Sequence, residues 1–329
     1  MSFLSKLFGS PAPSQPEAET AKAESQQERN FHTLRDDGVR AMKMHEAAYA
    51  AKCFEAALQI HPEDLPTLSY QAEALFLLRD FEKAEEVLQR LVEAEPDNLN
   101  LILLLARSQG EQENFSGMRS TLRMIPECQT QHPVVLYYAA EADYKNGDPL
   151  AAVAELTQAL TARPDYQAAL LLRARVLSSM GSFQEALADT ELLLSQDEAD
   201  DDAYLLHATA LAHTGKWEEA IRTLEQLHEA NPFCREGILL LGNCLAHESL
   251  WDKALGLYDE AIELQPDFAE AYKQRGAVKY HLHDEAGAAE DLKRSLEIQP
   301  ELTTEISGEY SNLENRINEV YRNLNPYGF

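Results

Sequence analysis

Proline recurs with a 34-residue period through most of this chain. Stepping by 34 from Pro62 reaches eight positions, two of which are Thr130 and Glu198. The other six are proline, although proline makes up only 14 of the 329 residues. A fixed period of this length is the signature of repeat architectures, in which each repeat packs against its neighbours. The sequence therefore predicts a stack of similar units, without one central core.

Three further positions follow the same period, and in the first repeat they are Gly38, Ala50 and Phe54. The position of Gly38 is Gly or Ala in all eight repeats. The position of Ala50 is Ala in seven cases and Met118 in the other, and the position of Phe54 is mostly large and apolar. Small residues let two helices approach closely, large ones fill the adjacent hole, and proline ends a helix. The pattern predicts one antiparallel helix pair in each repeat.

This arrangement resembles the tetratricopeptide repeat family, whose 34-residue unit carries small residues at positions 8 and 20, a large apolar residue at 24 and proline at 32. The resemblance implies an all-α, right-handed superhelical solenoid of eight helix pairs. The eight repeats, numbered one to eight below, are expected at 31–64, 65–98, 99–132, 133–166, 167–200, 201–234, 235–268 and 269–302.

Repeat three departs most from the pattern. Pro126 falls within the expected last turns of its second helix, so this helix is expected to end early. Two interpretations follow. Either the loop adjusts locally, or the solenoid bends there and divides into 31–125 and 133–302.

The start of the chain lies outside the repeats. Residues 1–8 are predicted as a short amphipathic segment with four apolar residues on one face: Phe3, Leu4, Leu7 and Phe8. This segment could associate weakly with a membrane surface, dock into a partner or remain unstructured. Residues 9–30 are rich in Pro, Ala, Ser, Gln and Glu, a composition that predicts a disordered linker.

The end of the chain, residues 303–329, also leaves the repeat pattern, because Tyr310 occupies a position that is small in all eight repeats. Apolar residues still recur every three or four positions from Tyr310 to Leu324, which predicts one amphipathic helix. We expect this helix to cap the last repeat, since solenoids need a polar outer end for solubility. The aromatic tail after it either packs back or serves as a short recognition segment.

The net charge of −28 limits the possible partners. Nucleic-acid binding needs Lys and Arg to neutralise phosphates, and anionic membranes attract basic surfaces, so neither is expected. The charge fits either solubility through self-repulsion or a preference for basic partners. The sequence has no long apolar stretch of the length that spans a membrane and no secretory signal, so no integral membrane contact is expected and the sequence predicts a cytoplasmic protein.

No sequence feature indicates catalysis. The chain lacks a nucleophile elbow, a phosphate-binding loop and a zinc-protease motif, and its four cysteines have no metal-ligand spacing. We therefore expect no enzymatic activity, no cofactor and no metal. His213, His247 and His281 recur at position 13, a spacing too wide to share a metal ion. They either sit favourably at helix C-termini or form a pH-sensitive surface.

The resemblance also implies that positions 2, 5, 9 and 12 of each first helix line a concave groove that binds peptides. At position 2, repeats six to eight carry Asp202, Glu236 and Glu270. These carboxylates either favour the first turn of a helix or form an acidic surface for a basic segment. The other candidate binding residues are an amide, three aromatic residues and two arginines that interrupt the acidic pattern: Asn243, Tyr137, Tyr144, Tyr280, Arg107 and Arg175.

The sequence thus predicts a non-catalytic adaptor or scaffold that binds a protein or peptide segment, basic in character, in the groove of the repeats. The alternative is a structural or regulatory subunit of a larger assembly, recruited through residues 1–8.

Overall fold

The computed structural model describes the backbone of residues 15–195 and 200–300, and the side chains from residue 26 onwards within those ranges. The predictions for the amphipathic segment 1–8 and for the capping helix and tail at 303–329 lie outside the described residues. Among the described residues, no helix is both long enough and apolar enough to cross a membrane.

The described chain is built from helices joined by short turns. They are α1 (Gln15–Lys43), α2 (Ala47–Ile60), α3 (Leu65–Leu77), α4 (Phe81–Ala94), α5 (Leu99–Glu111), α6 (Phe115–Leu122), α7 (Pro133–Lys145), α8 (Pro149–Ala162), α9 (Gln167–Ser179), α10 (Phe183–Leu194), α11 (Asp201–His213), α12 (Trp217–Ala230), α13 (Arg235–His247), α14 (Trp251–Leu264), α15 (Ala269–His281) and α16 (Glu285–Ile298), with a 3₁₀ turn at Glu127–Gln129.

The helices keep the 34-residue period of the sequence. From α3 onwards, the starts of the odd-numbered helices recur with this period, from Leu65 to Ala269. The starts of the even-numbered helices recur with the same period, from Ala47 to Glu285. The odd-numbered helices are called first helices below and the even-numbered ones second helices. This regular alternation confirms the predicted all-α fold of repeated helix pairs.

The chain forms two compact units, Met1–Ala162 and Arg163–Phe329. In the first compact unit, each helix from α1 to α8 packs against the next, and the first helices α1 and α3, and α5 and α7, also touch. Its core contains fully buried side chains from several repeats, among them Leu68, Leu88, Ile102 and Met118.

In the second compact unit, the helices α9 to α16 pack in the same way. Here the first helices α9, α11, α13 and α15 contact one another in sequence. Fully buried side chains at the helix contacts include Leu187, Leu211, Leu224 and Tyr258. The first helices therefore lie side by side and present one continuous face.

Residues 15–30 differ from the predicted linker, because α1 begins at Gln15 and runs without interruption into repeat one. After Pro16 this segment contains no Gly or Pro and is rich in Ala, Glu and Gln, which are strong helix formers. The same residue types are common in disordered segments, so composition alone did not distinguish the two states.

Repeat three has the expected early helix end. Its second helix α6 stops at Leu122 after 8 residues, and Pro126 precedes the 3₁₀ turn that leads into α7. Helix α6 still packs against both α5 and α7. The boundary of the two compact units falls between Ala162 and Arg163, one repeat further along. The structure therefore supports a local loop adjustment and not a division at residues 126–132.

Every turn between a first and a second helix contains one residue with positive φ at position 15. Three of these residues are glycine, and five carry side chains: His45, Arg79, Glu113, Ser249 and His283. Left-handed conformations cost L-residues roughly 1–2 kcal/mol, whereas glycine adopts them freely. These five turns are therefore strained relative to the glycine turns.

We expect Ser249→Gly, at φ 58°, to stabilise the second compact unit by about 0.5–1 kcal/mol. The converse change Gly181→Ala, at φ 77°, should destabilise it by about 1 kcal/mol, and a clash is not the cause because an added Cβ would meet nothing within 4 Å. Urea unfolding followed by tryptophan fluorescence measures both, since Trp217 and Trp251 lie in this unit. Equal stability of both variants and the parent chain would contradict the strain argument.

Candidate protein-interaction surface

The nine predicted partner-binding residues within the described chain all lie on first helices, and none is buried. They are Arg107 on α5, Tyr137 and Tyr144 on α7, Arg175 on α9, Asp202 on α11, Glu236 and Asn243 on α13, and Glu270 and Tyr280 on α15.

Arg175 and Asp202 form an ion pair between neighbouring repeats. The Arg175 Nη2 lies 2.5 Å from the Asp202 Oδ2, and both side chains are about half exposed, at 46% and 52%. Exposed pairs of this kind contribute about 0–1 kcal/mol. Arg175 therefore does not interrupt the acidic row, which consists of Asp202, Glu236 and Glu270, as a separate charge, but balances one member of it. The net acidity of the row falls on Glu236 and Glu270.

The first compact unit presents a different, aromatic surface. The Tyr137 and Tyr138 rings meet edge to face, with centroids 5.3 Å apart. The guanidinium carbon of Arg107 lies 5.6 Å from the centre of the Phe76 ring, a cation–π contact. Burial raises the pKa of the Tyr138 hydroxyl further above neutral pH. The predicted residues Tyr137 and Arg107 thus belong to an aromatic cluster and not to the acidic row.

A row of leucine pairs that was not predicted from the sequence lies at positions 5 and 6 of three consecutive first helices in the second compact unit. Leu172 is buried, and the other five side chains are partly exposed. The row ends at α15, where the same positions are Lys273 and Gln274. A search for apolar pairs that recur with the 34-residue period would have found it. This leucine band consists of Leu171, Leu172, Leu205, Leu206, Leu239 and Leu240.

Three histidines connect neighbouring repeats by ring stacking. Each ends a first helix and stacks on the aromatic residue that starts the second helix of the preceding repeat. The ring centroids are 4.0 Å apart for Phe183 and His213, 3.7 Å for Trp217 and His247, and 4.4 Å for Trp251 and His281. The interplanar angles are 0°, 17° and 7°. These three histidines therefore have a packing role that neither interpretation of the sequence included.

Burial lowers the pKa of three histidines in this compact unit, His207, His213 and His281. His207 is only 9% exposed, and its Nδ1 lies 2.8 Å from the Thr190 Oγ1. In the unfolded chain an imidazole has its ordinary pKa of about 6.5. As pH falls below that value, the imidazoles of the unfolded state bind protons, whereas those of the folded state stay neutral until a lower pH. The stability that these neutral rings contribute above pH ~6.5 is therefore lost as pH falls through their lowered pKa values.

When the pH is lowered from 7.5 to 5.5, we expect the urea midpoint for unfolding of the second compact unit to decrease. The decrease should be larger in the parent chain than in the His207→Gln variant. The comparison with the variant is necessary because the acidic chain also loses self-repulsion over this range. Glutamine keeps a polar group near Thr190 but does not titrate. Parallel pH profiles for the two proteins would show that His207 does not contribute to the pH dependence.

Residues 41–108 and 143–188 match one tetratricopeptide repeat family model, and residues 205–267 match another. Together these segments cover more than half of the chain. No curated protein matches it.

Several solved structures are similar to this fold. The C-terminal part of a TPR repeat-containing protein from Cytophaga hutchinsonii is 15% identical with a TM-score of 0.59, and the match covers 77% of this chain and 98% of that one. PilW, a widely conserved type IV pilus biogenesis factor, is 18% identical with a TM-score of 0.54, covering 63% and 96%. A tetratricopeptide repeat protein from Parabacteroides merdae is 15% identical with a TM-score of 0.47, covering 90% and 99%. At these identities the first two similarities, with TM-scores above 0.5, concern the fold alone.

Proposed function

Because the chain belongs to the tetratricopeptide repeat family, we propose that it is a non-catalytic adaptor that holds a Lys- or Arg-bearing protein segment on the face of its first helices. Repeat arrays of this kind present extended surfaces to other proteins, which supports protein–protein interaction as the general role. The basic character of the segment and its place on the second compact unit are the specific parts of the proposal.

The observation that carries the specific part is the position of Glu236 and Glu270. They lie at position 2 of α13 and α15, two first helices that contact each other. Like charges on adjacent helices repel, so a cationic side chain placed near both gains from each. The net charge of −28 adds long-range attraction for a basic partner and speeds association at low salt.

We expect Glu236→Lys with Glu270→Lys to weaken capture of a basic partner by the full-length chain and to flatten its salt dependence. The control variant Glu229→Lys with Glu263→Lys changes the net charge equally, but its positions lie on the second helices α12 and α14 and are exposed. Capture from native lysate at low and high salt, with partners identified by mass spectrometry, compares the three proteins. Equal recovery of the basic partner by the two variants would show that Glu236 and Glu270 do not take part in its recognition.

A further inference from the structure

The leucine band has a regular spacing across the second compact unit. Its three pairs lie at the same positions of α9, α11 and α13, and these helices contact one another. Axes of helices in contact lie about 8–10 Å apart. The band therefore offers apolar side chains about every 8–10 Å, over a length of roughly 20 Å, with a pair on α11 and on α13 and Leu171 alone on α9, where Leu172 is buried.

The spacing restricts the backbone conformation of a partner. A β-strand rises about 3.3 Å per residue, so three residues span the interval but successive contacts point to opposite faces. An α-helix rises about 1.5 Å per residue, so seven residues span about 10.5 Å and return to the same face. A polyproline helix also matches, with about 9.3 Å per three residues, but grooves for it are lined by aromatic side chains. The band contains leucine alone, which favours the α-helix.

The edges of the band restrict the orientation of the partner. Glu236 lies three residues, about one helical turn, before the leucine pair of α13, and Asp202, which is paired with Arg175, lies at the same place on α11. Imidazoles of the stacked histidines end the same helices on the other side, at His213 and His247. The N-terminal edge of the band is therefore acidic at Glu236, whereas imidazoles lie at the other edge. A partner with basic residues along only one flank complements this arrangement.

We propose that the leucine band binds one amphipathic α-helix of about 14–21 residues, with apolar side chains in a heptad pattern and Lys or Arg along one flank. This inference rests on the proposed function and names the class of partner. The apolar contacts supply the affinity, and the acidic edge sets the direction in which the helix lies.

A designed 21-residue peptide tests the proposal directly. It carries Leu at positions a and d of three heptads, Lys along one flank and Ala and Gln elsewhere, with a fluorophore at its N-terminus. One control peptide has the same composition with the leucines moved off the common face, and a second has Leu and Pro at every third position. Fluorescence anisotropy against the full-length chain should show at least tenfold tighter binding of the heptad peptide than of either control.

Variants of the chain locate the binding site. Leu206→Gln with Leu240→Gln should weaken binding of the heptad peptide at least tenfold, whereas Leu206→Met with Leu240→Met should keep it. The matched control Leu192→Gln with Leu264→Gln removes two leucines that are 42% and 41% exposed on second helices, and it should bind like the parent chain. Equal binding of the three peptides, or full binding by the glutamine variant of the band, would overturn the proposal.

The outcome separates this inference from the proposed function. If charge reversal at Glu236 and Glu270 leaves heptad-peptide affinity unchanged while the band variant abolishes it, the helix inference stands and basic specificity fails. If a basic partner is captured through Glu236 and Glu270 but no heptad peptide binds, the proposed function stands and the helix inference fails.

Discussion

Gly242→Ala is expected to destabilise the second compact unit by about 2 kcal/mol, although alanine is the residue that five of the eight repeats carry at this position. A Cβ at residue 242 would collide with the hydroxyl and the adjoining ring carbon of Tyr258. Tyr258 is only 1% exposed, so its ring has no room to move away. The steric cost exceeds the roughly 1 kcal/mol by which Ala is preferred to Gly within a helix.

The second substitution Tyr258→Leu should rescue the first, because Ala with Leu is the pair that most other repeats use, as in Ala72 with Leu88. Alone, Tyr258→Leu leaves a gap beside Gly242 and should cost about 2–4 kcal/mol. The double variant fills this gap with the new Cβ, so its stability should exceed that of Tyr258→Leu alone. Urea unfolding followed by tryptophan fluorescence gives the free energies of unfolding of the parent chain, the two single variants and the double variant. Additive effects of the two substitutions would show that the two residues do not pack as a pair.

The period of the sequence predicted the helices well, because small residues at positions 8 and 20 leave only one way to pack each pair. Gly242 and Tyr258 show that individual side-chain contacts between positions 8 and 24 could also be predicted. Gly at position 8 also faces an aromatic residue at position 24 in repeat one, where an added Cβ on Gly38 would collide with Phe54. In repeats one and seven, Gly at position 8 therefore makes room for an aromatic residue at position 24, whereas Gly276 in repeat eight pairs with Leu292.

Contacts between repeats could not be predicted from positions within one repeat. Arg175 and Asp202 are 27 residues apart and come together only because α9 lies beside α11. The stacking of Trp217 on His247 likewise joins position 17 of one repeat to position 13 of the next. Considered within a single repeat, these residues looked like separate surface charges and helix-end histidines.

The leucine band was missed for a different reason. Its residues are partly exposed, apart from Leu172, and leucine on a first helix is typical of a core position in each repeat taken singly. The 34-residue period identifies the pairs in the sequence, and the contacts of α9, α11 and α13 show that the pairs lie on neighbouring helices. The candidate site therefore depends on the arrangement of repeats, whereas the fold depends on the pattern within each repeat.

Arg173→Met is expected to destabilise the second compact unit by about 3 kcal/mol, far more than Arg175→Met two residues away on the same helix. The Arg173 Nε lies 2.8 Å from the Asp189 Oδ2, and its Nη2 lies 2.5 Å from the Asp189 Oδ1. The Asp189 side chain is 4% exposed, against 52% for the Asp202 partner of Arg175. The bidentate hydrogen bonds raise the pKa of Arg173 above its ordinary value.

The difference between the two arginines follows from what each substitution leaves behind. Without Arg173, the Asp189 carboxylate stays buried with its charge unbalanced, whereas Asp202 is solvated by water. Both variants lose one positive charge, so net charge is matched in urea unfolding at pH 7.5. The double variant Arg173→Met with Asp189→Leu removes the unbalanced charge and should recover most of the loss. If Arg173→Met costs no more than Arg175→Met, burial of this ion pair does not govern its contribution to stability.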